Sequence, residues 1–472
     1  MKKATKKLRI LFEKIITKPE WVFLILIIPF GIASAFLVPQ LSVNDENWHF
    51  ARAYQVSDGL IVCDDDKVTY PNEINDKIYD AIERKYSDDY SQVADLDVDH
   101  ASECGAMESY LPTMYIPQSL GILFAKLVFP SPAFMVLMAR FFNLVLYALA
   151  SFFLIKRLKH GKWVLVVLAL FPQMVHLAAS TTTDPINNVV IMAIIVFLLN
   201  LFFQTEKICR SQIITLIGLA VLAAATKQNN VILFFPLAFL PKQLFDKNKI
   251  KRIPFNLQKW SMNLLAGLSF SSAFIVFQKF LISATVLPVI DTGQLGNNPF
   301  SFIKLLYNTY FTDYGDVVFI GISNHFSSFG YHLPLIITVA LVVLFVIALL
   351  YKQKNTNYKV FNLKNSSVFL ATLGISIIAV TYIMYTAWVP AWTGGEAIWA
   401  EGVQGRYFTA MLLLFVPFGI WLQKHISVSF KSKKAIGWMV FISLLIILTY
   451  YTFLTYKYTN DGLLWTGGYL RL

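Results

Sequence analysis

The chain has 472 residues, is 56% hydrophobic with only 14% charged residues, and carries a formal net charge of +12. Soluble domains sit nearer a quarter charged, so composition excludes an ordinary soluble globule. Repeated continuous apolar runs of about 20 residues predict membrane-crossing helices, and their lack of alternation excludes a barrel. The positive charge falls in short loops between the runs, so it reads as a topology signal rather than a nucleic-acid footprint.

The amino terminus carries Lys2, Lys3, Lys6, Lys7, Arg9, Lys14 and Lys18, which predicts a cytoplasmic amino end. Trp21 to Val38 is the first span. The length of its run, and the lack of a small-x-small cleavage site after it, favour a retained helix over a cleaved signal peptide. Residues 40–112 are polar and acid-rich, which predicts the outer side. Cys63 and Cys104 both fall there, where a disulfide between them and two free thiols are both open readings. Cys209 lies in a basic inner loop, and no C-x-x-C pair is present to suggest zinc. Residues 113–129, bounded and broken by Pro112, Pro117 and Pro130, predict an interfacial or re-entrant helix.

Further spans are predicted at 134–155, 163–180, 186–203, 211–226, 230–245, 261–285, 332–351, 367–388, 407–423 and 435–455, about eleven in all. The basic loops 156–162, 242–259, 352–364 and 424–434 then share the side of the amino terminus. The first extracytoplasmic loop is 40–133, the second large one is 286–331, and the carboxyl tail is extracytoplasmic. No repeat, low-complexity tract or separate soluble domain is visible, so 1–472 is a single polytopic, all-α membrane domain.

The candidate chemistry collects on the outer face. In Ser42-Val43-Asn44-Asp45-Glu46-Asn47-Trp48-His49-Phe50-Ala51-Arg52, a helix would put Asp45, His49 and Arg52 on one face. Asp45 suits a general base or metal ligand, although Ser42-x-x-Asp45 is also a capping pattern. His49 could ligate a metal or orient Asp45. Arg52 could bind phosphate or simply pair with an acid. Asp184, in Thr183-Asp184-Pro185, could meet Asp45 across the bundle or start the next helix as its cap. Lys227, between two apolar segments, is a functional candidate or a snorkelling residue. Gly402-Val403-Gln404-Gly405-Arg406-Tyr407-Phe408 brings backbone close to whatever binds, and Arg406 offers a forked donor for phosphate. Trp388, Trp392 and Trp399 upstream fit an interface belt or a sugar-stacking platform. Together these residues suit a lipid-phosphate substrate.

The stretch Asp45-Glu46-x-x-His49-Phe50-x-Arg52-Ala53-Tyr54-x-x-x-x-Gly59 resembles the signature of the bacterial membrane proteins catalogued as domain of unknown function 2142. Similar too are Asp184 with Asn187 and Asn188, Lys227, the 326–331 segment and the Gly405-Arg406-Tyr407 piece. This sequence has Asn44 where a proline often precedes the Asp-Glu pair, and Asn47-Trp48 in place of small or proline residues. The family in turn looks like the GT-C class of glycosyltransferases. That resemblance implies a GT-C-like fold in a bacterial cytoplasmic membrane and a sugar donor carried on polyprenyl phosphate. The acceptor it implies is a cell-wall polymer or surface glycan. Carried onto this sequence, it makes Asp45 the catalytic base. Glu46, His49, Arg52, Lys227, Arg406 and Tyr407 become substrate-binding residues. Asp45, His49 and Asp184 become candidate ligands of Mg²⁺ or Mn²⁺. The basic inner loops suit docking of a cytoplasmic donor-synthesising glycosyltransferase, and topology explains them equally well. A flippase or polymerase of lipid-linked sugars would use many of the same charges. A flippase would also be expected to show two related halves with midplane charges, which this sequence lacks.

Overall fold

The computed structural model describes residues 18–61, 69–83, 85–86, 88–97, 99–101, 110–241, 244, 299–323, 325–326, 331–352, 362–387, 398–426 and 433–460. Cys63, Cys104, the span at 261–285, Trp388, Trp392 and the carboxyl tail lie outside the described residues.

The chain is helical, with two short two-stranded ladders among the described residues. Among the described residues, five helices are long and apolar enough to cross a membrane: Pro19–Leu37 (α1), Pro132–Arg157 (α5), Asp184–Phe202 (within α8, Asp184–Phe203), Leu363–Tyr385 and Ala435–Thr459. Four further apolar helices, Arg210–Thr226 (α9), Asn229–Phe239, Leu335–Leu350 and Ala410–Leu422, are shorter. The expected span at 163–180 is broken: one helix, Lys162–Ala169 (α6), ends before Phe171, and a second, Pro172–Ala178 (α7), follows. Pro172 has no amide hydrogen to continue the ladder and forces Phe171 into an extended conformation. The expected span at 230–245 is instead a 12-residue 3₁₀ helix, Gln228–Phe239, with Pro236 inside it.

Between α1 and α5 the described residues include three shorter α-helices. Glu46–Ser57 (α2) carries the acidic motif, Asn72–Ile82 (α3) follows a ladder strand, and Ile116–Val128 (α4) leads into α5. At 13 residues, α4 rises only about 20 Å, too short to span. One side of α4 buries Gln118, Ser119, Ile122 and Ala125, while Leu120, Leu123, Phe124 and Leu127 remain exposed. Later come Pro299–Phe311 (α10) and Asp313–Gly321 (α11), then Leu335–Leu350 (α12) and Leu363–Ala387 (α13).

α10 and α11 hold the loop that precedes Arg406. Gly405 packs so closely on α11 that a Cβ there would lie 2.0 Å from the Val318 carbonyl oxygen and 2.3 Å from the Ile322 nitrogen. The two glycines of this motif therefore serve the backbone rather than a ligand: Gly405 permits the contact, and Gly402 takes a left-handed φ of +84°. Gly405→Ala should destabilise the protein by about 1–3 kcal/mol, read as a lower melting temperature in detergent. Unchanged melting would show that the two segments separate freely.

Candidate functional site

Asp45 directly precedes α2 in the left-handed conformation (φ 63°, ψ 9°), which acids and asparagine tolerate better than other side chains. Its carboxylate makes no capping hydrogen bond. Glu46, the first helical residue, turns its Oε2 back onto the Val43 amide ahead of the helix at 3.3 Å. Asp45 is thereby free to point at Arg406, which donates from Nη2 to Asp45 Oδ2 at 2.8 Å.

Arg406 sits in a single 3₁₀ turn, Gly405–Tyr407, and its side chain is 6% exposed. Its other terminal nitrogen lies 3.5 Å from Asp184 Oδ2 and donates to the Asn44 carbonyl at 3.5 Å. Asp184 opens α8, with Pro185 in the first turn and Thr183 as the cap residue; Asp184 itself caps nothing. Lys227, at the end of α9, reaches Asp184 Oδ1 at 3.4 Å and lies 4.7 Å from the centre of the Tyr407 ring. Burial pulls the Lys227 ammonium down, but Asp184, Tyr110 and Tyr407 outweigh it and hold the group above its ordinary range. One turn deeper, Asn230 donates to Asn187 Oδ1 at 2.7 Å, bracing α8 against the 3₁₀ segment.

The cluster thus alternates two carboxylates with two cations. Asp45 is its accessible member, with 40% of its side chain exposed. The Arg406 Nε is buried without a hydrogen-bond partner, and Lys227 holds its carboxylate only loosely. Both cations therefore keep unused donor capacity.

His49 is buried one turn into α2, its Nδ1 2.8 Å from the Tyr115 hydroxyl. Burial is the largest influence on it and lowers its pKa to about 4, against the upward pull of Asp45 and Asp184; Lys227 and Arg406 add to the lowering. It is therefore neutral near pH 7. Between pH 6.5 and 4 the unfolded chain holds a proton that folded His49 does not, so stability should fall as pH falls through that window. His49→Asn should flatten that part of the melting-temperature profile, and an unchanged acid slope would assign it to other groups.

Two expected substrate-binding residues lie elsewhere. Glu46 is fully buried in a two-bond ion pair with Arg140 (Nε to Oε1 2.9 Å, Nη2 to Oε2 2.7 Å). It also accepts from the Thr181 amide at 3.0 Å. Arg52 turns away onto Gln55 and the carbonyls of Leu60 and Ile61, so it anchors the chain leaving α2. The common face expected for Asp45, His49 and Arg52 does not form, because Asp45 stands outside the helix. Arg140 was not among the expected residues. A lone arginine inside the apolar 26-residue α5 was the available signal. It also donates to the carbonyls of Ala35, Val38 and Pro39, and so ties α1, α2, α5 and the turn before Asp184 into one frame.

The expected Mg²⁺ or Mn²⁺ ligands, Asp45, His49 and Asp184, do not make a fitting donor set. Arg406 already bridges the two carboxylates, and Lys227 adds a second positive charge. Among the described residues no group of three or more such ligands gathers. The chemistry of the cluster favours an anion competing with its carboxylates for Arg406 and Lys227.

A family model described as a predicted membrane protein (DUF2142) matches residues 28–415. Comparison with curated proteins and with solved structures finds no match.

Proposed function

We propose that this chain, which belongs to the DUF2142 family of predicted membrane proteins, transfers a sugar from a polyprenyl-phosphate donor to a cell-envelope acceptor. The observation that carries the reading is the meeting of Asp45, Asp184, Lys227 and Arg406, contributed by distant parts of the chain. The proposal includes a GT-C-like arrangement of about eleven spans in a bacterial cytoplasmic membrane. The distribution of basic loops supports a cytoplasmic amino terminus, with the cluster on the outer side.

In this reading the donor's phosphate takes the Arg406 and Lys227 donors and releases Asp45 from its ion pair. The freed carboxylate accepts the proton of an acceptor hydroxyl as its oxygen bonds to the anomeric carbon. The bond from that carbon to the phosphate oxygen breaks. The lipid phosphate leaves with the electron pair, and its growing charge is met by Arg406 and Lys227. Asp184 orients both cations, and His49, one helical turn on from Asp45, stays neutral.

The first test is binding. Wild-type protein in detergent should bind polyprenyl phosphate, and Arg406→Ala should weaken that binding about 10–100-fold, as expected for loss of a hydrogen-bonded charge. Equal affinity in the two proteins would remove Arg406 from the phosphate site.

A further inference from the structure

The loop before Arg406 is held in an unusually determined way. Asn308 donates to the Ile398 carbonyl at 3.0 Å, and the Thr309 hydroxyl accepts from the Ala400 amide at 2.9 Å. The Tyr314 hydroxyl accepts from the Gly402 amide and donates to the Val403 carbonyl, each at 3.1 Å. Burial pushes the Tyr314 phenol up to about 12, so it stays a neutral donor. This frame presents Trp399 half-buried, one face stacked on the Tyr314 ring at 5.8 Å and 13°. Two residues on, Glu401 is partly exposed, and among the described residues no side chain pairs with its carboxylate.

We infer that Trp399 and Glu401 form the subsite for the donor's hexopyranose ring, with the C–H face of the sugar on the indole and its hydroxyls donating to the carboxylate. This deepens the proposed function and rests on it. A tryptophan that only anchors the protein at a lipid interface needs no stacked phenol beneath it and no hydrogen-bonded backbone on either side. A partly exposed carboxylate beside a rigid aromatic ring is what a polar ligand with one apolar face requires. Trp399 and Glu401 stand seven and five residues before Arg406 on the same loop, so the ledge and the proposed phosphate site belong to one segment of the chain.

The experiment compares affinities of the full chain in detergent for bare polyprenyl phosphate and for its glucosyl, galactosyl and mannosyl esters. Trp399→Leu should weaken the preferred ester about tenfold and leave the bare lipid within about twofold of wild type. Trp399→Phe should recover most of the loss, and Glu401→Gln should weaken the same ester alone. Three other results would overturn the subsite. In the first, wild type binds the bare lipid in an Arg406-dependent way but no ester depends on Trp399; the phosphate site then survives alone. In the second, Trp399→Leu loses bare lipid and esters equally, which marks a structural role. In the third, wild type binds none of the lipids, and the functional reading falls together with the subsite.

Discussion

Asp45→Asn is expected to cut sugar transfer about 10²–10⁴-fold, the usual contribution of a positioned general base. The substitution is close to isosteric. Asparagine tolerates the left-handed backbone that Asp45 occupies and keeps an oxygen for Arg406, so fold and lipid-phosphate binding should be retained. Asp45 is singled out from Asp184 by access: the Asp184 side chain is 10% exposed and is enclosed by Lys227 and Arg406, whereas the Asp45 carboxylate opens to the surroundings. Initial rates with a polyprenyl-phosphate sugar, alongside binding of the bare lipid, separate the two roles. Transfer at the wild-type rate would rule out Asp45 as the base, and joint loss of binding and transfer would make it part of the anion site.

Glu46→Ala should cost about 3–5 kcal/mol of stability, because it strands a buried arginine. Arg140 would keep its bonds to the carbonyls of Ala35, Val38 and Pro39 but lose both carboxylate contacts. The Thr181 amide would lose its acceptor as well, which weakens the tether between α2 and the turn before Asp184 to the bond from the Thr181 hydroxyl to the Glu46 carbonyl at 3.2 Å. The expected reading is a sharp drop in melting temperature and in monodisperse protein from size exclusion. Glu46→Gln should be milder, since it retains an acceptor oxygen. A stable Glu46→Ala protein that fails only in substrate binding would return Glu46 to the substrate-binding set.

The charged cluster was visible in the sequence because Asp184, Lys227 and Arg406 stand near the ends of apolar runs, where an unneeded charge is costly, and Asp45 opens the polar segment that follows the first span. Their pairing was not visible, since Asp45 and Arg406 meet across hundreds of residues. The adjacent acids Asp45 and Glu46 read alike as letters. Only the left-handed turn at Asp45 sends one carboxylate to the cluster and the other to Arg140. The same turn defeats the helical-face argument that joined Arg52 to the site. The break at Pro172 was legible in principle, but the apolar run around it masked a change in backbone direction. Gly405 read as a ligand-facing glycine because sequence shows small size and not what the freed space admits, which here is the backbone of α11.

The most direct test of the account is whether purified protein releases polyprenyl phosphate from polyprenyl-phosphate sugars when a cell-envelope extract supplies the acceptor. The account predicts acceptor-dependent release by wild type, and loss of that release in both Asp45→Asn and Arg406→Ala. No release from any donor, together with movement of the intact sugar-lipid across a reconstituted bilayer, would contradict it and mark the cluster as the headgroup site of a flippase.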